Sequence, residues 1–145
     1  MNTSSLPAVL RVILAVVVGF VAGSVMNMSL IMVSGMVIPP PAGADVTTME
    51  GLKASLHLFE PRHFVFPFLA HALGTLVGAV VATLLTPTRR FGPALAVGVL
   101  FLCGGIANVF MLPGPAWFNT VDLLLAYLPC AWLGHRLVAR NAPPV

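Results

Sequence analysis

The chain alternates between long apolar runs and short connections that contain prolines, and the runs have the length of membrane-spanning helices. Four runs approach the ~20 residues that a helix needs to cross the hydrocarbon core. They cover about residues 9–33 (or as far as Ile38), 64–85, 93–112 and 120–138. The first run is too long for a cleaved signal segment, so we interpret it as a helix that is retained. The pattern predicts an all-α integral membrane bundle of four transmembrane helices, with residues 1–145 as a single domain.

Prolines mark where the runs end. Pro39–Pro41 follows the first run, Pro87 follows the second, and Pro113-Gly114-Pro115 follows the third. Proline cannot continue a helix, so these positions set the boundaries. Pro129 lies inside the fourth run and predicts a kink there.

The connection between the first two runs, residues 39–63, has the periodicity of a short amphipathic helix. Its two stripes are apolar (Met49, Leu52, Leu56, Phe59) and polar (Glu50, Lys53, His57, Glu60). Thr47 and Glu50 have the spacing of a capping box, with Thr47 as N-cap. Pro61 disfavours helix at the residue before it. We expect a helix over about 47–59 on the outer face, with its apolar side against lipid or the bundle mouth.

Charged residues are scarce and, with the exceptions of Lys53 and Arg62, their signs lie at opposite ends of the runs. Charged residues make up 8% and hydrophobic residues 59% of the chain, against about 25% and roughly 45–50% in soluble domains. The acids lie in or beside two connections (Asp45, Glu50, Glu60, Asp122), and five arginines lie at the other ends (Arg11, Arg89, Arg90, Arg136, Arg140). By the positive-inside rule, both termini are cytoplasmic.

This charge pattern also bears on location and partners. A bacterial inner membrane is the simplest location, with membrane lipid as the surroundings of the helices. The net charge of +3 forms no basic stripe along the chain, so we expect no nucleic-acid partner.

Every run contains small residues four positions apart, a pattern that lets transmembrane helices approach closely. The stripes are Gly19 and Gly23; Ala70, Gly74, Gly78 and Ala82; Ala94 and Gly98; and Ala126, Cys130 and Gly134. The second run has the longest stripe, so we expect it at the centre of the bundle.

Two segments resemble one another. Residues 23–28 and 104–109 each begin with glycine and hold an asparagine at the fifth position, Asn27 and Asn108. Both asparagines are expected at a similar depth in outward-running helices. This favours a duplicated hairpin related by an axis along the membrane normal. The alternative is a chance similarity between two segments of biased composition.

The polar residues of the runs predict a binding site toward the outer side. His71 lies about two turns into the second run, and an ionisable residue inside a span is a functional hypothesis by default. Asn27, Asn108 and Asp122 lie toward the same half, and His57 and Glu60 lie in the connection above. We predict these six as binding residues, with no catalytic residue assigned.

Each of these residues also has a purely structural interpretation. His71 and the two asparagines are side chains that hydrogen-bond between helices. Asp122 follows Asn119 by three positions, the spacing of an N-cap and an acid that stabilises a helix start. His57 and Glu60 are solvated loop residues in the same interpretation.

A metal site is an alternative interpretation of the same region. His57, Glu60, His63 and His71 are residue types that bind zinc, but Pro61 interrupts the helix that the zinc motif requires. Met28, Met32 and Met36 share a helix face, with Met49 and Met111 nearby, and thioethers select Cu(I). Methionine is also an ordinary gap-filler. We therefore predict neither a bound metal nor a cofactor.

Three classes of function remain open. The first is a small transporter or permeation protein, a homo-oligomer because four helices enclose little space. The second is a non-catalytic accessory subunit of a larger membrane complex. The third is an outer-face enzyme or metal-binding protein built on His57, Glu60, His63, His71 and Asp122. The sequence has no nucleophile elbow, phosphate loop or dinucleotide fingerprint, so the third class ranks last.

Overall fold

The computed structural model describes residues 7–86 and 90–140. All the regular elements in these two ranges are helical: α1 (Ala8–Val37), α2 (Met49–Ser55), α3 (Val65–Leu85), α4 (Phe91–Met111), α5 (Ala116–Leu125) and α6 (Leu128–Ala139). Two 3-10 turns, Leu56–Leu58 and Pro61–Phe64, connect α2 to α3. Four helical stretches are long and apolar enough to cross a membrane: α1, α3 with the preceding turn, α4, and α5 with α6.

The surface of this bundle is apolar, as expected for a protein surrounded by lipid. On α1 the buried residues are Ala15, Gly19 and Gly23, all of them small. Large side chains of the same helix point outward, and Met36 is 83% exposed. A large contiguous apolar surface of this kind is unusual on a soluble monomer. The four apolar helices and this surface suggest an integral membrane protein.

The sequence allowed the first helix to end near Val33 or near Ile38, and the structure has the longer helix. It runs for 30 residues to Val37, or about 45 Å at 1.5 Å per residue. Ile38 is extended, and its N–H donates to the carbonyl of Ser34. Since the hydrocarbon core is about 30 Å thick, such a helix must tilt or extend beyond it.

Helices α1 and α3 cross through reciprocal glycine contacts. A Cβ added at Gly19 would lie 2.6 Å from the carbonyl oxygen of Gly78, and one added at Gly78 would lie 2.8 Å from that of Gly19. Gly23 and Gly74 approach each other's carbonyls in the same way. The predicted small-residue stripes therefore form the closest backbone approach in this helix pair.

Helix α3 packs against α1, α4 and α6, in agreement with the predicted central position. On its α6 side, a Cβ added at Gly134 would lie 2.7 Å from the carbonyl oxygen of Leu76. The hydroxyls of Thr75, Thr83 and Thr86 donate to carbonyls four residues earlier in the same chain segment. These polar groups are thus satisfied locally and leave the helix surfaces free to pack.

The fourth span is broken, as Pro129 predicts. Helix α5 ends at Leu125 and α6 begins at Leu128, with Pro129 in its first turn. In a continuous helix the carbonyl of Leu125 would accept from the N–H of residue 129, which proline lacks. The thiol of Cys130 donates to that carbonyl instead, at 3.4 Å.

The four spans alternate in direction. Gly19 meets Gly78 and Gly23 meets Gly74, so α1 and α3 are antiparallel. Residues of α4 meet the fourth span in the same reversed order, because Gly98 contacts Ala131 and Gly105 contacts Tyr127. One end of the bundle thus carries four described arginines (Arg11, Arg90, Arg136, Arg140), and Arg89 lies outside the described residues. The opposite end carries the connection that contains α2.

Helix α2 lies within the predicted segment but begins with a different cap. Thr48 is the N-cap, and its side chain accepts from the N–H of Gly51 at 2.9 Å. The assignment of Thr47 as N-cap was wrong. The carboxylate of Asp45 accepts both the hydroxyl and the N–H of Thr47, at 2.6 and 2.8 Å. This leaves Thr48, which is in extended conformation, to cap the helix.

Candidate functional site

A histidine, an aspartate and a tyrosine from different helical segments meet inside the bundle. The Nδ1 atom of His71 on α3 lies 2.9 Å from each carboxylate oxygen of Asp122 on α5. The hydroxyl of Tyr127, in the break before α6, donates to the Oδ2 atom of Asp122 at 2.8 Å. The rings of His71 and Tyr127 lie 5.6 Å apart. We refer to these three residues as the His–Asp–Tyr group.

The His–Asp–Tyr group is largely withdrawn from solvent. The side chain of Asp122 is 5% exposed and that of His71 is 16% exposed, while Tyr127 is 1% exposed. A buried carboxylate is strongly unfavourable unless it is paired and hydrogen-bonded. Here the imidazole and the phenol both supply donors, which accounts for the presence of an acid at this depth.

The hydrogen bond from His71 to Asp122 determines whether the other ring nitrogen, Nε2, is a hydrogen-bond acceptor or donor. Facing an ionised carboxylate, Nδ1 must carry a proton, so a neutral imidazole leaves Nε2 as an acceptor. The His–Asp–Tyr group then has a net charge of −1. Protonation of Nε2 makes the net charge zero and converts that atom into a donor. A single proton therefore changes both the charge and the hydrogen-bonding character of the group.

Tyr127 is the member of this group that was not predicted from the sequence. On a continuous helix two residues five positions apart point about 140° away from each other, so nothing paired Tyr127 with Asp122. The break ahead of Pro129 changes that relationship. The available signal was a lone tyrosine inside an apolar span next to a predicted kink.

The structural interpretation of Asp122 as a helix-start residue was wrong. Helix α5 begins at Ala116 with Pro115 as its N-cap, so Asp122 lies in the second turn. Asn119 lies inside the helix, and its side chain donates to the carbonyl of Gly114 at 3.1 Å. The sequence Pro113-Gly114-Pro115 starts the helix earlier than expected, because proline is favourable just ahead of a helix.

Two cavities meet at His71. The larger, of about 650 Å³, lies between α1, α3, α4, α5 and the connection that contains α2. The smaller, of about 310 Å³, lies between α1, α4 and the break at Tyr127. Asn27, His71 and Asn108 line both cavities. The larger volume falls within the roughly 300–1,000 Å³ typical of small-molecule sites.

The apolar stripe of the α2 segment closes one side of the larger cavity. Met49, Leu52, Leu56 and Phe59 all line it. The polar stripe of Glu50, Lys53, His57 and Glu60 is exposed. The apolar side of this helix was expected to lie against lipid or against the bundle mouth. The structure places it against the bundle mouth.

The six predicted binding residues divide into two groups. His71, Asn27, Asn108 and Asp122 come together around the two cavities and the His–Asp–Tyr group. His57 and Glu60 lie apart from them: His57 hydrogen-bonds the carbonyl of Ala54 at 2.8 Å, and Glu60 pairs with Arg62 at 3.0 Å.

One histidine of the connecting segment does reach the larger cavity. His63 is buried and lines it. Its Nδ1 atom lies 3.0 Å from the backbone nitrogen of Glu60. This contact belongs to the 3-10 turn ahead of α3 and fixes the ring beside Phe59, at 5.4 Å between ring centroids.

Asn27 has an unsatisfied oxygen. Its Oδ1 atom is buried and has no hydrogen-bond partner within residues 7–86 and 90–140. Leaving a buried acceptor unpaired costs about 1–3 kcal/mol, and each such group calls for an explanation. Asn27 lines both cavities, but this atom is itself shielded from them, so it accepts from a molecule in the cavities only if the side chain rotates.

The described residues include no cluster of three or more His, Cys, Asp or Glu side chains that could hold a metal ion. Of the methionines considered for copper, Met28, Met32 and Met49 line the larger cavity. Met36 and Met111 are exposed.

The two segments that suggested a duplication differ in their surroundings. A Cβ added at Gly23 would contact the carbonyl of Gly74 and the ring of Phe101, whereas one added at Gly104 would meet no described atom within 4 Å. Asn27 and Asn108 line the same cavities all the same. The duplication itself stays a prediction.

Comparison with protein-family models, with curated proteins and with solved structures gives no match to this chain.

Proposed function

We propose that this protein is a small membrane transporter or permeation protein whose proton-binding element is the His–Asp–Tyr group. The observation that carries the proposal is the position of His71. It holds a buried carboxylate with one ring nitrogen and lies where two cavities meet. Ionisable side chains inside membrane-spanning helices are costly and mark substrate or proton pathways.

The geometry supplies the elements that such a function needs. The larger cavity has space for a small molecule, and its boundary with the smaller cavity carries three polar side chains (Asn27, His71, Asn108). Toward the end that carries the arginines, α1 and α3 are in close contact at Gly19 and Gly78. A change in the protonation of His71 would alter the charge at the wall of the cavity, which is how a proton can be coupled to a solute.

The orientation belongs to the same proposal. The four described arginines at one end favour a cytoplasmic position for that end and for both termini. The larger cavity and α2 would then face outward from a bacterial inner membrane. In this arrangement the protein binds its solute from the outer side.

Flux in proteoliposomes tests the function. Proton flux is followed with a trapped pH dye after a pH jump, alone and with small cationic, neutral and anionic solutes outside. We expect flux above that of protein-free liposomes, and a fall to that level in His71→Ala. The matched control is His57→Ala, a histidine exposed outside the cavities, which should retain the flux of the unmodified protein.

The possible outcomes test the transport function and the role of His71 separately. Absence of flux for every solute class in the unmodified, folded protein would contradict transport. Flux that persists in His71→Ala would remove His71 from the mechanism. Gel filtration and thermal unfolding of each variant establish that the protein remains folded.

One observation favours the second function, an accessory subunit of a larger complex. The smaller cavity is bounded by Phe20 and Leu100, which are 36% and 46% exposed. His71 and the two asparagines are thus close to a lateral opening that a neighbouring protein helix could cover. The mass of the intact assembly from native membranes discriminates: heavier partners in fixed ratio favour the subunit, and a homo-oligomer favours transport.

A further inference from the structure

We infer that the larger cavity selects an apolar molecule that carries a protonated amine, and that this cation and the Nε2 proton of His71 exclude one another. The inference rests on the proposed function, because it names the substrate class and the coupling of the same site. It is argued from the charge, the hydrogen-bonding groups and the apolar walls of the cavity.

The charge of the site favours a cation. The residues that line the larger cavity include no lysine or arginine, and their titratable members are His63 and His71. Behind His71 lies the carboxylate of Asp122, 2.9 Å from its ring. With the imidazole neutral, the site thus holds one uncompensated negative charge in apolar surroundings, where a charge interacts more strongly than in water.

The groups that face His71 from the neighbouring elements leave this charge unopposed. Helix α5 supplies Asp122 and the break before α6 supplies Tyr127. Helices α1 and α4 supply the neutral amides Asn27 and Asn108 to the cavities that His71 lines. On its own helix, Thr75 donates to the His71 carbonyl. The described neighbours therefore place a carboxylate and neutral groups around the ring.

The hydrogen-bonding groups favour a donor rather than an acceptor. A neutral His71 whose Nδ1–H donates to Asp122 presents Nε2 as an acceptor. The Oδ1 atom of Asn27 is a second acceptor, buried and unpaired within the described chain, and rotation of this side chain would turn it toward the cavities that Asn27 lines. A primary ammonium has three N–H donors, so it can donate to Nε2, retain donors for the Asn27 oxygen after such a rotation, and neutralise the charge with the same group.

The remaining walls select an apolar body. They consist largely of methionine, aliphatic and aromatic side chains, among them Met28, Ile31, Met32, Leu52, Phe59 and Phe118. Thioether side chains adapt to differently shaped ligands. The volume of about 650 Å³ accommodates a molecule with one or two rings.

Amine binding and protonation of His71 are coupled because one positive charge is enough to neutralise the carboxylate of Asp122. When Nε2 of His71 is protonated, the imidazolium neutralises Asp122 and removes the acceptor that the amine needs. Binding of an ammonium therefore releases one proton from an imidazolium form of His71, and the charge of the site stays at zero. Protons and the amine therefore compete for the same site, and a higher proton concentration should weaken the apparent affinity for the amine.

Three matched probes test the inference on the purified full chain in detergent. Diphenylmethylamine, diphenylmethanol and diphenylacetate share two phenyl rings and differ in carrying a cationic, neutral or anionic head group. Calorimetry in buffers of different ionisation heat measures affinity and proton release together. We expect the amine to bind at least about tenfold more tightly than the alcohol, a difference of about 1.4 kcal/mol, with release of a proton at acidic pH.

Variants assign the effect to the site. Asp122→Asn should lower the affinity for the amine to that of the alcohol, and His71→Gln should abolish proton release. His57→Gln is the control and should change neither. The comparison of the three probes on the unmodified protein decides the cation preference even where a variant does not fold.

Equal affinity for amine and alcohol, tighter binding of the acid, or amine binding without proton release would overturn the inference. These outcomes are distinct from failure of the proposed function. Flux of a neutral or anionic solute would retain transport and reject the amine, whereas coupled amine binding without flux would retain the site and reject transport.

Discussion

The hydroxyl of Tyr127 occupies the space that a side chain at Gly105 would need, since an added Cβ there would contact that hydroxyl and the ring behind it. We expect Gly105→Ala to displace the hydroxyl from Asp122, whose carboxylate would lose one of its buried donors. The loss of such a bond should lower the free energy of unfolding by about 1–3 kcal/mol. Denaturation of the purified protein in mixed detergent micelles, followed by circular dichroism, measures the change.

The neighbouring glycine is the matched control. A Cβ at Gly104 would meet no atom of the described residues within 4 Å. Gly104→Ala should therefore leave the His–Asp–Tyr group unchanged and stabilise the helix by up to about 1 kcal/mol, because alanine has the higher helix propensity. Equal destabilisation by the two variants would contradict the role given to Gly105.

The close contact between α1 and α3 predicts that two glycines of α1, Gly23 and Gly35, differ in how well they tolerate substitution by alanine. A Cβ at Gly23 would contact the Gly74 carbonyl and lie 2.9 Å from atoms of the Phe101 ring. Gly23→Ala should force the helices apart and destabilise the bundle by about 1–3 kcal/mol, the range for overpacking. The same unfolding titration reports it.

Gly35 provides the control on the same helix. It lies near the C-terminal end of α1, and no described atom lies within 4 Å of where its Cβ would be. Gly35→Ala should be neutral or slightly stabilising. If Gly23→Ala were equally harmless, the glycine contacts would not determine how closely α1 and α3 pack.

The break in the fourth span predicts a role for Cys130 beyond its small size. Its thiol donates to the Leu125 carbonyl, which lacks the usual backbone donor because residue 129 is proline. Cys130→Ala should cost about 0.5–1.5 kcal/mol, the usual net value of one hydrogen bond. Cys130→Ser retains a donor and should cost less in the same unfolding assay. A serine variant no more stable than the alanine variant would exclude this role.

The connection that carries α2 has its own dependence on pH. The hydroxyl and then the N–H of Thr47 hold the pKa of Asp45 below its ordinary value of 3.8. A lowered pKa in the folded state means that the ionised carboxylate stabilises the fold above pH 3.8 and that this contribution is lost as the pH falls through the folded-state pKa. The protection of residues 45–51 against hydrogen exchange, expressed relative to the unfolded chain at the same pH, should therefore persist at neutral pH and fall only in acid.

Asp45→Asn tests that dependence. The amide cannot ionise, so the protection of residues 45–51 should be lower than in the unmodified protein at neutral pH and should show little further change in acid. A variant that still lost protection in acid would show that another group is responsible.

Local signals in the sequence predicted most of the fold, and they failed where distant segments determine geometry. The apolar runs, Pro129 and the glycine spacings each act within one helix or on its surface, and the structure agrees with them. The interpretation of Asp122 as a helix-start residue failed because the spacing from Asn119 is a local pattern, whereas its partner His71 is 51 residues earlier in the chain. Tyr127 was missed because it points at Asp122 only after the helix has broken.

The candidate site was predicted in part for the same reason. The polar residues inside apolar runs, His71, Asn27 and Asn108, had to face protein or a cavity, because lipid cannot satisfy them. His57 and Glu60 had no such constraint. They lie in a connection where an exposed surface satisfies a polar side chain equally well, and the structure places them there.

The proposed orientation gives a last prediction that depends on neither cavity. Lys53 lies on the exposed stripe of α2, at the end of the bundle opposite the arginines. In a protein with Cys103→Ala and Cys130→Ser, Lys53→Cys should react with a membrane-impermeant maleimide from the outer side of intact cells. A cysteine at Arg140, beyond the end of α6, is the matched control and should react only after the membrane is permeabilised. The reverse pattern would invert the topology and turn the larger cavity toward the cytoplasm, because α2 and that cavity lie at the same end of the bundle.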